Sequence, residues 1–388
     1  RYALDCSFFR VYDEKGEPLK TKYFFKFNTD GAKEGEAVFV VGNPGKTERL
    51  STKAQLDFFR DISYPANLAF IRNRSNALKK YNAEAKSDSV LNLIFSLENS
   101  HKAITGMLKA LQDDYIYARK MAFEKEFKAK VALLPNSNAS LQVWNEISAC
   151  KQAIKKVFND YFVLTARDIS PKSVVFARLI AEYVATEKDT ALQNKVRKQM
   201  LALQVYPAVL ERELLKNLLT DLISLNGNQE NVLAMVGAKN VEEAINKLFQ
   251  SAYFTQKDYV GSVLKMDLNA LKNSKDVLLV LGQQLYTRFK YAKSTFDSLT
   301  QKETVLNAKL AQLFFAAYGK AIPPDANFSL RIADGLVKGY EYNGTTAPYK
   351  TTFYGLYDRY YSFDTKFPFS LPDKWKTPVP ELLKAPYN

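Results

Sequence analysis

The spacing of apolar residues changes twice along this chain, and those two switches limit its fold more than any other feature. Before about residue 50 the apolar stretches are short and aromatic or β-branched, as strands require: Cys6 to Tyr12, Tyr23 to Phe27 and Ala37 to Val41. Glu14-Lys15-Gly16, Asp30-Gly31 and Gly42-Asn43-Pro44-Gly45 supply the turn chemistry between and after them. From about Ser51 the period becomes 3.6 and stays so for more than 200 residues. Leu56, Phe59 and Ile62 share one helical face, with Ser51 as a candidate cap, and Tyr64-Pro65 predicts a break before a second helix carrying Leu68, Ile71, Leu78 and Tyr81. The plainest stripe runs from Ala139 to Phe162, where Val143, Ile147, Cys150, Ile154, Val157 and Tyr161 recur every three or four residues and must pack on neighbouring helices.

At Ile322-Pro323-Pro324-Asp325 the pattern returns to strands. Phe328 to Ile332 alternates, Asp334-Gly335 predicts a hairpin turn, and Leu336 to Tyr342 predicts the return strand. The last forty residues, rich in Tyr, Phe and Pro, predict an extended segment over a surface. The expected fold class is therefore α+β, with β segments at 1–50 and 322–388 and an irregular α-helical domain at 51–321 inserted between them. No repeat of 30–50 residues is visible, so a solenoid is not expected. A chain of 388 residues exceeds what one hydrophobic core usually serves, and 47% hydrophobic residues excludes an intrinsically disordered chain.

Composition narrows the chemistry. Lys and Arg number 55 against 41 Asp and Glu, so the net charge of +14 favours acidic partners, yet the clustered positives, such as Lys151, Lys155 and Lys156 or Lys195, Arg197 and Lys198, interleave with apolar helix positions as solvated faces do. No RNA-binding signature accompanies them, and nucleic acid is not the expected partner. Two cysteines and one histidine offer no metal-ligand spacing, and neither a metal nor any other cofactor is expected. Apolar runs such as Met200 to Leu210 fall far short of the ~20 residues that span a bilayer. Arg1 to Asp5 resembles an internal stretch of a longer chain and carries no targeting signal.

Few residues stand out as chemical candidates. His101 lies in a helix whose apolar face carries Val90, Ile94, Leu97, Ile104, Leu108 and Leu111, with no GxSxG elbow anywhere to pair with it, and it reads as a packed helix histidine. Asn99, Lys102 and Gly106 fall within ~60° of arc on one face of that helix, and a glycine there suggests close approach of another group. Cys6 and Cys150 read as buried, inert thiols. Gly42 to Thr47 lacks the GxxxxGK[ST] spacing of a phosphate loop.

Four stretches together carry a resemblance. Arg1-Tyr2-Ala3-Leu4-Asp5-Cys6-Ser7-Phe8-Phe9-Arg10 resembles the Arg-x-x-Gly-Asp-Phe-Ser-x-Phe-Arg segment of the dipeptidyl-peptidase VII-type serine exopeptidases of bacteria. Gly42-Asn43-Pro44-Gly45-Lys46-Thr47 is similar to their Gly-aromatic-Pro-Gly-x-Thr turn, and Asn99 to Gly106 to their Asn-x-x-Lys-Asn-x-x-Gly helix. Pro323 to Ala326, Val337 to Tyr340 and Thr352 to Gly355 are similar to the region preceding their nucleophile.

The resemblance implies part of a chymotrypsin-like antiparallel β-barrel with a helical insertion, in a periplasmic or secreted enzyme that removes dipeptides from peptides with a free N-terminus. It implies Asp5 as the acid of a Ser-His-Asp triad and Asn99 as an acceptor for the substrate's α-ammonium. The family's histidine would lie before Arg1 and its serine after Asn388, with a signal peptide further upstream, so this segment alone is expected to be inactive. A homodimer is left open. Leu4, Cys6, Asn43 and Ala103 depart from the family pattern, which leaves a non-catalytic peptide-binding homologue as the alternative.

Overall fold

The structure, a computed structural model, describes residues 8–45, 47–251, 259–319, 325–342, 344–350, 352–366 and 369–377. The chain divides into two units, one of residues 1–47 with 325–388 and one of residues 48–324. In the first, β1 (Ala37–Gly42) pairs antiparallel with β2 (Arg331–Leu336), from Ala37 opposite Leu336 to Gly42 opposite Arg331. β3 (Tyr340–Tyr342) pairs with β4 (Thr345–Ala347) as a separate short ribbon.

These strands do not make part of a chymotrypsin-like barrel: among the described residues there are two two-stranded sheets and no closed sheet. A barrel needs every strand paired on both sides, and the stretches at 8–12 and 23–27 carry no strand, only an isolated bridge from Tyr12 to Pro18. Their aromatic side chains lie open, Phe9 at 89% and Phe25 at 92% exposure, so the β-prone composition has no partner strand to pack on among the described residues. Two further expectations fail locally. Asp334-Gly335 is not a turn but extended backbone inside β2, opposite Phe39 and Val38. The aromatic tail is not extended at 353–362 either: Phe353–Ser362 is a helix that buries Tyr357 and Tyr360, three residues apart and so on one face, and Phe353 stacks on Trp375 at 5.8 Å.

The second unit is helical. In chain order it holds α1 (Lys53–Phe58), a π-helical turn (Phe59–Ser63), α2 (Tyr64–Ala85), α3 (Asp88–Gln112), α4 (Asp114–Ala132), α5 (Ser137–Leu164), α6 (Lys172–Ala185), α7 (Thr190–Leu201) and α8 (Ala208–Asn226). There follow α9 (Gln229–Ala234), α10 (Val241–Phe249), α11 (Tyr259–Leu264), α12 (Leu268–Lys272) and the 42-residue α13 (Val277–Tyr318). The tail helix of the first unit is α14, and a short α15 (Asp373–Lys376) comes after it.

The predicted break at Pro65 is absent, because the chain widens instead: Tyr64 N–H bonds back to Phe59 O across the π-turn, which places Pro65 in the first turn of α2, where its missing N–H costs nothing. The α5 stripe packs as its period demands, with Val143, Ile147, Cys150, Ile154 and Val157 buried. Its partner is α13, where Tyr161 stacks on Phe296 at 3.7 Å between ring centres and Arg288 Nε donates to Asp160 Oδ2 at 3.1 Å. Two apolar cores result: a large one among α2, α5, α6, α8 and the first turns of α13, and a smaller one of Phe127, Val131, Val143, Trp144, Ile147, Cys150, Leu306, Leu310 and Phe314.

Polar groups inside the large core are spent on holding helices together. Arg74 of α2 pairs with Asp221 of α8, both buried, and Asn73 Nδ2 donates to the same carboxylate at 3.2 Å. Glu211 of α8 is fully buried and accepts from Ser173 N at 2.8 Å and Ser173 Oγ at 2.7 Å, which caps the start of α6 with a carboxylate. Burial pushes the Glu211 carboxyl above its ordinary value, with the Ser173 bonds pulling the other way.

Two outcomes follow from this packing. A Cβ added at Gly282 of α13 would sit 2.5 Å from the Ala177 backbone of α6, so Gly282→Ala forces two packed helices apart and should cost about 1–3 kcal/mol or more in urea unfolding. For Glu211, a carboxyl with a raised folded pKa binds its proton more tightly folded than unfolded. Its contribution to stability therefore falls as pH climbs from the unfolded value of about 4.3 through the folded one. The stability of Glu211→Gln relative to wild type should accordingly improve from pH 5 to pH 8, and a difference that does not change with pH, or that moves the other way, would refute the assignment.

Candidate functional site

The Gly42 to Thr47 turn leaves β1 and is fastened on both sides to the segment that enters β2. Asn43 Nδ2 donates to Phe328 O at 2.9 Å, and Phe328 N donates to Pro44 O at 3.1 Å. Thr47 Oγ1 donates to Asp325 Oδ1 at 2.7 Å while accepting from Ala326 N at 2.8 Å. A Cβ at Gly45 would lie 3.2 Å from the Phe328 ring, so glycine lets that ring rest on the turn. Phe328 itself sits at φ +64, a conformation a bulky residue adopts only when its surroundings hold it there. The Thr47 hydroxyl is thus committed within the protein, and the turn acts as a clasp rather than as an anion loop.

On α3, Asn99, Lys102 and Gly106 are all exposed, on the face their spacing predicts. The residue before Asn99 does the opposite work. Glu98 accepts from Ser75 Oγ at 2.7 Å and from Lys79 at 2.8 Å, both on α2, and the Lys79 ammonium, more than Ser75, holds its carboxyl below the ordinary range. Ile94 is buried and Leu97 and Ile104 pack against the large core. α3 is therefore fixed along one side, while the Asn99 carboxamide has no hydrogen-bond partner among the described residues. No atom comes within 4 Å of a Cβ built at Gly106, so the close approach that its glycine suggested is not seen there. His101 is half-buried, with Thr105 Oγ1 3.5 Å from Nδ1 but donating to the His101 carbonyl at 2.8 Å, in keeping with a packed helix position.

Asp5 and Cys6 lie outside the described residues. Cys150 is buried in the smaller core as a free thiol, and burial pushes its pKa up, which suppresses thiolate chemistry. Among the described residues no group of three His, Cys, Asp or Glu is placed to hold a metal. No described helix is long and apolar enough to cross a membrane.

One feature of the helical unit is invisible in local sequence: a cleft of about 510 Å³ between α1, α4 and α5, lined among others by Asp57, Asp61, Lys128, Trp144 and Lys151. Lys151, expected on a solvated face, is instead 11% exposed and pairs with Glu303 of α13 at 2.8 Å. Gln55 Nε2 donates to the same Glu303 oxygen at 2.7 Å, and the Lys151 ammonium lies 4.9 Å from the centre of the Phe58 ring. The only sequence signal for this pairing was the position of Lys151 next to Cys150 on the apolar stripe.

A long helical unit joined to a small unit of short antiparallel strands is a fold with solved counterparts. DPP11 of Porphyromonas endodontalis, crystallised with the dipeptide Arg-Glu, superposes with a TM-score of 0.68 at 15% identity over 95% of this chain and 59% of that one. Residues 1–383 match the Peptidase S46 family, and the chain belongs to it. Among its curated relatives are the Asp/Glu-specific dipeptidyl-peptidase of Shewanella putrefaciens, 24% identical over 88% of this chain and 50% of that protein. Another is dipeptidyl-peptidase 7 of Porphyromonas gingivalis, 23% identical over 92% of this chain and 53% of that protein. The chain spans about half the length of these relatives.

Proposed function

We propose that the protein containing this chain is a serine dipeptidyl peptidase that releases dipeptides from the N-terminus of peptides. Membership of Peptidase S46 along almost the entire chain carries this reading, and the names of its relatives agree with it. In it Asp5 is the acid of a Ser-His-Asp triad, orienting the histidine and stabilising the imidazolium that forms during acyl transfer. The helical unit supplies recognition. A free α-ammonium needs an acceptor at a fixed distance from the nucleophile, and Asn99 offers an uncommitted carboxamide oxygen on a helix that Glu98 and Ile94 hold still. The location that suits this activity is the periplasm or the cell exterior, where oligopeptides are available, and the proposed assembly is a homodimer, which light scattering tests.

The test uses the full-length protein and dipeptidyl chromogenic substrates. Asp5→Ala should lower kcat by about 10⁴-fold while leaving peptide binding in place. A peptide-binding homologue without catalytic function would show no turnover in either form. Asn99→Ala should lower kcat/KM by about 5- to 150-fold for substrates with a free amino terminus, the equivalent of a lost hydrogen bond to a charged group. It should also narrow the difference between free and N-acetylated substrates, and an unchanged ratio would remove Asn99 from recognition.

A further inference from the structure

At the end of α5, bordered by α2, α6 and α8, lies a small cavity with about 10 Å³ of room for the centre of a water-sized particle. Two arginines line it. Arg74 is 1% exposed, its Nη1 is taken by Asp221, and its Nε has no acceptor among the described residues. Arg178 donates from Nη1 to Leu164 O at the end of α5, and its buried Nε likewise has no acceptor there. Ser170 Oγ, also in the lining, accepts from Arg167 N at 2.9 Å, and its own hydroxyl proton is left without an acceptor among the described residues.

The charge balance points the same way. Arg167 stands close by, its guanidinium 4.8 Å from the Phe70 ring that Arg74 also covers at 3.9 Å, so three guanidiniums share a poorly solvated region. Asp221 is already paired with Arg74, and Glu182, one turn along α6 from Arg178, is the other carboxylate acting on the group. Burial pushes Arg178 down to about 10, as happens to a cation whose lost hydration is not replaced.

A buried N–H left unpaired is costly, so the lining calls for an acceptor. A water molecule can accept from these donors but brings no negative charge to a region where three guanidiniums face one carboxylate already paired with Arg74. Phosphate and sulfate are too large for it. We propose that the cavity is a binding site for one halide-sized monovalent anion, chloride in ordinary buffers, held by Arg74 Nε, Arg178 Nε and Ser170 Oγ. The anion would complete the junction of α2, α5, α6 and α8 as a structural ligand, independently of the peptidase chemistry.

The test compares thermal unfolding of the full chain in sodium chloride, sodium bromide and sodium gluconate at equal ionic strength, together with bromide anomalous diffraction. Chloride and bromide should raise Tm by about 2–4 °C over gluconate, saturably, and an anomalous peak should lie between Arg74 and Arg178. Arg178→Gln should abolish the halide-dependent part; should that variant fail to fold, Ser170→Ala, which removes one donor and no charge, should weaken halide affinity several-fold. Equal Tm in all three salts, a water where the peak should be, or a bromide peak without any change in Tm, meaning an adventitious ion only, would each overturn the proposal.

Discussion

The helical unit depends on one helix long enough to serve two cores. At 1.5 Å per residue the 42 residues of α13 run for about 63 Å. Leu278, Leu279, Leu281 and Leu285 lie in the large core, and Leu306, Leu310 and Phe314 in the small one. Two cores sharing one rigid helix cannot settle independently, so the geometry of α5 and α6 is referred to a common axis. The tightest point on that axis is Gly282 against Ala177, where the α6 backbone comes too near for any side chain. Arg288 with Asp160, and Lys151 with Glu303, then fix the rotation of α13 against α5 at two separate heights.

How much of this was legible follows from how local each signal is. The α5 stripe was, because its burial is set by a period carried in one continuous segment: the five apolar positions from Val143 to Val157 that recur in sequence are buried in fact. Turn and breaker residues were read less well, because their preferences are worth little against tertiary context. Pro65 breaks nothing once a π-turn precedes it, and Asp334-Gly335 stays extended because β1 supplies its pairing. The tail helix was missed because Pro and aromatic content masked the spacing of Tyr357 and Tyr360. The expected barrel rested on the family resemblance, and the β-prone stretches at 8–12 and 23–27 find no partner strand among the described residues, which closure needs.

The candidate site shows the same division. Motif resemblance reached Asn99 and the Asn43 to Thr47 turn because each is a short contiguous pattern, and the structure adds what those residues touch. For the turn it adds a clasp made from residues 278 and 285 positions away, Asp325 and Phe328. The cleft between α1, α4 and α5, and the arginine cavity below α5, could not be read at all, since their walls come from three or four helices with no shared local pattern.

Shifted ionisable groups often mark an active site, and in the helical unit Arg74, Arg178 and Glu211 are all displaced chiefly by burial. Each is nonetheless engaged in joining helices, Glu211 to the start of α6, Arg74 to α8 and Arg178 to the end of α5. A general acid or base has to meet its substrate and exchange a proton with it. Arg74 and Glu211 are buried among the leucines and phenylalanines of the large core, and Arg178 with Arg74 lines only the small cavity at the end of α5. Their perturbation is the mark of load carried by the scaffold, and the residue of α3 that stays uncommitted, Asn99, is neutral at every working pH. Under the proposed function, a unit built this way holds and positions the peptide, and proton transfer belongs to a Ser-His-Asp triad outside it, in which Asp5 orients the histidine.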